Sequence, residues 1–134
     1  MVIYASLGFS TLEGFDSCQE LRSLYIHENL ITKISGLDKL GELVVINISD
    51  NSISKIENLE GNPKLETLLL KRNRIGEYGP SDYEYLPKLQ NVTCLDLSYN
   101  KIDHDDPEAF IEILAGMQKL AVLYLNGNPI VALL

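Results

Sequence analysis

Between Leu21 and Lys64 the same order of apolar and polar positions is written twice, each position displaced by 22 residues. Leu21, Leu24, Ile26, Asn29, Ile31, Ile34 and Leu37 are answered by Leu43, Ile46, Ile48, Asn51, Ile53, Ile56 and Leu59. Aliphatics at the fourth and sixth positions, with mostly polar residues at the third, fifth and seventh, have the period of a short strand buried on one face. The later aliphatics, at the eleventh, fourteenth and seventeenth positions, predict an apolar return segment. No single unit of this kind can bury its own apolar face. Neighbours must therefore stack, strand beside strand, into a solenoid.

The same register, laid along the rest of the chain, predicts one domain spanning residues 1–134. Counted backwards, Val2 takes the fourth position, Tyr4 the sixth, Phe9 the eleventh, Leu12 the fourteenth, Phe15 the seventeenth and Cys18 the twentieth. Leu7 stands where Asn is expected. Residues 1–20 thus read as a partial repeat, followed by coils 21–42, 43–64, 65–91 and 92–119 and a last repeat, 120–134, without a visible cap. The excess length of coil 65–91 lies between Glu77 and Tyr85, where Pro80 suits the first position of a short helical turn. In coil 92–119, Asp106 can cap a helix, Pro107 suits its first turn and Glu108 favours its positive end. Phe110, Ile111, Leu114 and Met117 then recur at helical spacing and are expected to face the core, with Gly116 near the stop.

The order L-x-x-L-x-L-x-x-N-x-I is the sequence mark of a leucine-rich repeat. The expected fold is α/β, a right-handed leucine-rich repeat solenoid. A parallel β-sheet lines its concave face, with 3-10 turns and short helices on the convex face. Asn29, Asn51, Asn73, Asn100 and Asn128 occupy the ninth position. Their amides carry both a donor and an acceptor and can serve the sharp turn after the strand in their own coil and the next. They are expected to form an internal ladder. The end at Ile130-Val131-Ala132-Leu133-Leu134 is apolar, whereas a solenoid needs a polar cap. The expectation is either a longer protein or association through the uncapped C-terminal coil.

Side chains at positions three, five and seven alternate away from the core and onto the concave sheet. The fifth-position row reads Tyr25, Asn47, Leu69, Asp96 and Tyr124, and the seventh reads His27, Ser49, Lys71, Ser98 and Asn126. The eighth, at the rim, reads Glu28, Asp50, Arg72 and Tyr99. Tyr and Arg are residue types that anchor protein interfaces. The candidate protein-binding residues are accordingly Tyr25, His27, Asn47, Ser49, Leu69, Lys71, Arg72, Asp96, Tyr99, Tyr124 and Asn126. Lys71, Arg72 and Arg74 form the one basic cluster. Its two readings are a solvated strand end facing Glu77, Asp82 and Glu84, and a docking spot for an acidic segment.

Composition narrows the function further. A formal charge of −8 argues against a general nucleic-acid or anionic-membrane binder. No apolar run approaches the roughly 20 residues needed to span a bilayer. Residues 1–14 lack the basic start and continuous apolar segment of a secretory signal. Cys18 and Cys94 fall four coils apart, about 19 Å at strand spacing, beyond the reach of a disulfide. Free thiols favour a cytosolic or nuclear protein. Without a secretory signal, the acceptor-like Asn47-Ile48-Ser49 and Asn91-Val92-Thr93 read as ordinary polar spacing. His27, Ser49 and Asp50 invite a hydrolase triad, but no nucleophile elbow accompanies them. His104-Asp105-Asp106 reads as a loop beside a helix cap. With no phosphate loop and no paired-cysteine zinc pattern, neither an enzyme nor a metal or other cofactor is expected.

The 22-residue coil with I-x-x-I-x-x-L on its return side resembles an intracellular subclass that includes phosphatase-1 regulatory subunits and axonemal dynein light chains. The later coils narrow the resemblance. Cys94-Leu95-Asp96-Leu97-Ser98-Tyr99-Asn100-Lys101-Ile102 leads into Asp106-Pro107-Glu108, and Gly127-Asn128-Pro129-Ile130-Val131 closes the last repeat. This succession resembles the dynein axonemal assembly factor 1 family, over most of residues 21–131. The chain departs from that family in extra residues around Asp103-His104-Asp105 and in Pro80 to Tyr85. The resemblance implies a non-enzymatic cytoplasmic adaptor in ciliated or flagellated cells, serving the preassembly of dynein arms. The competing implication is a regulatory subunit that holds a protein phosphatase 1 catalytic subunit on its concave face.

Overall fold

The computed structural model describes residues 1–4 and 8–134; Leu7 lies outside the described residues. Six three-residue strands form one parallel sheet in chain order: β1 (Val2–Tyr4), β2 (Ser23–Tyr25), β3 (Val45–Asn47), β4 (Thr67–Leu69), β5 (Cys94–Asp96) and β6 (Val122–Tyr124). The ladder outlasts the strands. The eighth-position N–H of Glu28, Asp50, Arg72 and Tyr99 donates to the seventh-position carbonyl of the following coil, at 2.8–3.0 Å. Each of coils 2 to 5 is thus tied to the next from the strand through the start of the turn.

The inward residues of β2 to β5, Leu24, Ile46, Leu68 and Leu95, are fully buried, as are Ile26, Ile48, Leu70 and Leu97 two positions later. Behind them Ile31, Ile34, Leu37 and Leu40 of one return segment stack with Ile53, Ile56 and Leu59 of the next. Burial of one aliphatic side chain is worth roughly 1.5–3 kcal/mol, and this column repeats it coil after coil.

At the N-terminus the structure corrects the register. Val2 pairs with Ser23, Ile3 with Leu24 and Tyr4 with Tyr25. Ile3, not Val2, therefore takes the inward fourth position; it packs against the core while Val2 is half exposed. Tyr4 moves from the inward sixth position to the fifth. Phe9 nevertheless keeps the eleventh position, since its N–H donates to Asn29 Oδ1 (2.9 Å) as Ile31 N–H donates to Asn51 Oδ1 (3.0 Å). Coil 1 therefore holds one residue fewer between Ile3 and Phe9 than the next coil holds between Leu24 and Ile31. A one-residue slip exchanges the two faces of a strand, and the apolar run Val-Ile-Tyr has no alternation to reveal it.

Each ninth-position Asn bridges two coils. Asn73 donates to Leu70 O in its own coil (3.1 Å) and to Ile48 O in the preceding one (2.9 Å), while its Oδ1 accepts from Ile53 N–H (3.0 Å). Asn51, Asn100 and Asn128 repeat this arrangement. On the return side Asn62, buried at the twentieth position, adds a second bridge by donating to Leu37 O and Leu40 O.

The two long coils spend their extra residues on the convex side. Pro80–Asp82 and Leu86–Lys88 are 3-10 turns, and α1 (Pro107–Ala115) is an α-helix. Buried Asp82 holds the first turn by accepting from the N–H groups of Gly76 and Tyr78 at 3.1 Å each. Asp106 caps α1, accepting from Glu108 N–H (3.0 Å) and Ala109 N–H (3.4 Å). Phe110 and Met117 are buried as expected, but Ile111 is half exposed, and Ile113 packs on the core in its place. The run of apolar residues in α1 is wider than the face the core can cover, so one of them is left outside.

Tyr83 is buried edge-on against Phe110, ring centroids 5.6 Å apart, and among the described residues its hydroxyl has no hydrogen-bond partner. Burial, reinforced by the charges of Asp103, Asp82, Glu84 and Asp105, pushes its pKa up from 10.0 to about 12. A phenol held neutral by the fold contributes stability that is fully present below pH 10 and lost as pH rises towards about 12. Tyr83→Phe should remove most of that alkaline slope. At neutral pH it should stabilise the chain by about 1 kcal/mol by deleting the unsatisfied hydroxyl. Melting temperatures of the two chains across this pH range check both expectations.

In the last coil Pro129–Leu133 forms a 3-10 turn with Ile130 buried and Val131 and Leu133 exposed. Cys18 and Cys94 are free. Among the described residues, no helix is long and apolar enough to cross a membrane.

Candidate functional site

The register sets the fifth position of five consecutive coils side by side: Tyr25, Asn47, Leu69, Asp96 and Tyr124. Tyr4 extends the row at its N-terminal end; the slip in coil 1 hid it from sequence reading. Tyr124 is half exposed and the four others before it partly so. The row therefore presents a strip of aromatic, amide and carboxylate chemistry, supported from behind in coils 2 to 5 by fully buried aliphatics.

Two members of the strip also brace it. Asn47 Oδ1 accepts from Ser49 N–H (3.0 Å), and Asp96 Oδ1 accepts from Ser98 N–H (2.9 Å) and from the Ser98 hydroxyl (2.5 Å). A short polar side chain reaching the backbone two residues on is the local bond these residue types favour. In the seventh-position row His27 and Lys71 are partly exposed and Asn126 exposed, but Ser49 is 8% exposed. Ser49 was expected to present surface; its short side chain instead sits low between the larger His27 and Lys71.

The eighth position turns the chain off the sheet. Glu28, Asp50, Arg72 and Tyr99 all have left-handed φ, between 54° and 58°, and Gly127 follows at 80°. This conformation is costly for a side-chain-bearing residue, and it is held here by the ladder bonds on either side. Gly127 makes room for Tyr99, since a Cβ there would lie 2.4 Å from the tyrosine ring.

The basic cluster divides. Arg74 is paired with Glu77, whose hydrogen bond and charge raise the Arg74 pKa further. Buried Asp82, expected to face the cluster, is turned into its own backbone. Lys71 Nζ and Arg72 Cζ both approach the Tyr99 ring, at 5.7 and 5.3 Å from its centroid. Each such contact at an exposed site is worth roughly 0.5–1 kcal/mol. Arg72 Nη1 also stands 3.9 Å from Asp50 Oδ1, an exposed pair of little energetic weight.

The hydrolase constellation does not assemble. Ser49 is buried, Asp50 faces Arg72, and His27 Nδ1 has no hydrogen-bond partner among the described residues. Among the described residues no three His, Cys, Asp or Glu side chains are grouped to hold a metal. His104 Nδ1 accepts from Asp106 N–H (3.1 Å), which makes it part of the approach to α1.

An open parallel sheet of short strands, backed by an aliphatic column and an Asn ladder, with a mixed aromatic and polar outer face, defines a solenoid of the protein-interaction type. The chain belongs to the leucine-rich repeat family, whose model matches residues 36–133. Among solved structures it is similar to two internalins of Listeria monocytogenes. To internalin InlF it is 30% identical over 81% of this chain and 29% of that one, with TM-score 0.67. To internalin C2 it is 25% identical over 90% and 48%, with TM-score 0.71. It is also similar to a chain of the Drosophila melanogaster SNF/U2A′ complex, 30% identical over 76% and 56%, with TM-score 0.63. The chain thus spans no more than 56% of the length of these structures. No curated protein matches it.

Proposed function

We propose that the protein is a non-enzymatic adaptor that holds a protein partner on its concave sheet face. The observation that carries this reading is the fifth-position row, with Tyr25 and Tyr124 on a surface pre-organised by the ladder behind it. Large, rigid side chains on a fixed backbone lose little conformational freedom on binding. A similar fold occurs in a protein complex, the Drosophila SNF/U2A′ complex, which supports a protein-binding role here.

The cellular role that best accounts for the specific motifs is cytoplasmic preassembly of axonemal dynein arms in cells bearing cilia or flagella. It rests on the likeness of residues 94–102, the Asp106-Pro107-Glu108 helix start and Gly127-Asn128-Pro129-Ile130-Val131 to the dynein axonemal assembly factor 1 family. Affinity purification from flagellated cells is expected to recover dynein heavy chains and chaperones. Recovery of a protein phosphatase 1 catalytic subunit instead would replace this role with phosphatase regulation. Tyr25→Ala combined with Tyr124→Ala should abolish capture of the partner without unfolding the chain. Capture that survives the double substitution would move the interface to the rim or the convex side.

A further inference from the structure

Among the described residues, the concave face and rim of this acidic chain contain one place where positive charges converge. Lys71 on coil 4 and Arg72 beside it both approach the ring of Tyr99 on coil 5, at 5.7 and 5.3 Å from its centroid. Among the described residues Lys71 has no carboxylate within ion-pair distance, and Arg72 only Asp50 at 3.9 Å. The carboxylate in the next coil, Asp96, is bonded to the N–H and hydroxyl of Ser98. Arg74, by contrast, is already matched to Glu77. Two cations gathered round one phenol ring repel each other. An anion placed between them would relieve that repulsion and gain charge-assisted hydrogen bonds from both.

We infer that Lys71, Arg72 and Tyr99 form the seat for an acidic segment of the protein partner, which lays a side-chain carboxylate between the two cations. This rests on the concave-face reading above and names the chemistry of the partner. The Arg72 guanidinium offers its fork to the carboxylate, Lys71 adds a point charge, and the ring fixes where both stand. Backbone geometry pre-sets the seat. Arg72 and Tyr99 both occupy the left-handed eighth position, φ 54° and 56°, and Gly127 clears the space beside the ring.

The rim also gives the docked segment a direction. In the same eighth-position row Glu28 and Asp50 precede Arg72 and Tyr99, so the rim is acidic over coils 2 and 3 and basic at coil 4. An acidic segment is repelled from the first half and accepted at the second, a discrimination by like charge as well as by attraction. The overall charge of −8 opposes any acidic ligand at long range. At physiological salt that field decays within about 8 Å, so the local pair of cations decides.

The test is a fluorescence anisotropy titration of the full chain at physiological salt. The probes are a labelled Glu-rich peptide, its Gln-for-Glu twin and a labelled oligouridylate. The expected result is saturable binding of the Glu peptide alone, weakened about tenfold or more by Lys71→Glu with Arg72→Glu. Arg74→Glu, the same kind of charge change at a site already paired, should alter it by less than about twofold. An equal loss in Arg74→Glu would overturn the seat in favour of undirected attraction. So would equal binding of the Gln twin, or stronger binding of the oligouridylate. Should the charge reversal unfold the chain, Lys71→Gln with Arg72→Gln is read in the same way. Failure here is separable from failure of the concave-face reading. If the captured partner is lost in the Tyr25→Ala, Tyr124→Ala chain but kept in the Lys71→Glu, Arg72→Glu chain, the face stands and the acidic seat falls. If both chains keep the partner, the face itself falls.

Discussion

Replacing Asn73 by alanine should destabilise the protein by about 3–4 kcal/mol, a large share of the stability of a domain this size. The magnitude follows from what each amide atom does. Without Oδ1, the buried Ile53 N–H has no partner, a loss of about 1–3 kcal/mol. Without Nδ2, Ile48 O and Leu70 O lose one donor each, although Asn51 and Asn100 still serve them. Those two bonds add about 0.5–1.5 kcal/mol apiece at most. Asn51→Ala should do less harm, because Asn51 is partly exposed and water can reach the groups it leaves. Urea unfolding of the three chains checks the order. An Asn73→Ala chain as stable as the parent would mean that the turns are held by something other than the ladder. Since Asn73 sits in the fourth coil, its loss should also weaken the coupling between the two halves of the stack.

Gly36→Ala should cost about 3 kcal/mol or more, and it should act at one seam. Gly36 has φ +71°, a conformation that penalises a side chain by about 1–2 kcal/mol, and an added Cβ would lie 2.0 Å from Leu12 O. That carbonyl belongs to the backbone of coil 1 and cannot rotate away. Coil 1 should therefore separate from coil 2 while the rest of the stack stays folded. Hydrogen exchange should show lost protection at Phe9 and Leu30, whose N–H groups bond across the seam. Gly14→Ala is the control. Its φ is +86° but nothing lies within 4 Å of the new Cβ, so only the conformational penalty of about 1–2 kcal/mol remains. Asn58 shows how the same position, one coil on from Gly36, accommodates a side chain. At φ 59° it turns the neighbouring carbonyl to use, donating to Ile34 O at 2.8 Å. If Gly36→Ala and Gly14→Ala cost the same, close packing of the seam is not what demands the glycine.

The two predictions mark where sequence reading was strong and where it was blind. The ninth-position Asn was recognisable because the period isolates it and only an amide offers donor and acceptor together. That Asn73 is more deeply enclosed than Asn51 depends on how far the neighbouring coils cover it, which no spacing records. Gly14, Gly36 and Asn58 align in the repeat, yet only coil-to-coil distance separates a glycine that is required from one that is merely convenient. In α1, Ile111 and Ile113 are equally apolar, and the packing of the helix on the core chose the second. In β1 the run Val2-Ile3-Tyr4 reads as well in one register as in the other. Its pairing to Ser23-Leu24-Tyr25 made the choice.

The candidate site divides along the same line. Which residues share the outer face followed from counting, because every coil of a solenoid meets nearly the same surroundings and a single ruler serves them all. That Ser49 lies low, that Asn47 and Asp96 brace their own backbone, and that Arg74 is spent on Glu77 while Lys71 and Arg72 gather at Tyr99 came from the folded chain alone. Tyr99 is 27 positions beyond Arg72 in the chain, and only the stacking of one coil on the next makes them neighbours. Periodicity states what each coil has in common, and so it carried the architecture, the ladder and the rows. Contacts between coils depend on side-chain size, local slips and distance, and these decided the core choices, the indispensable glycine and the place where charge converges.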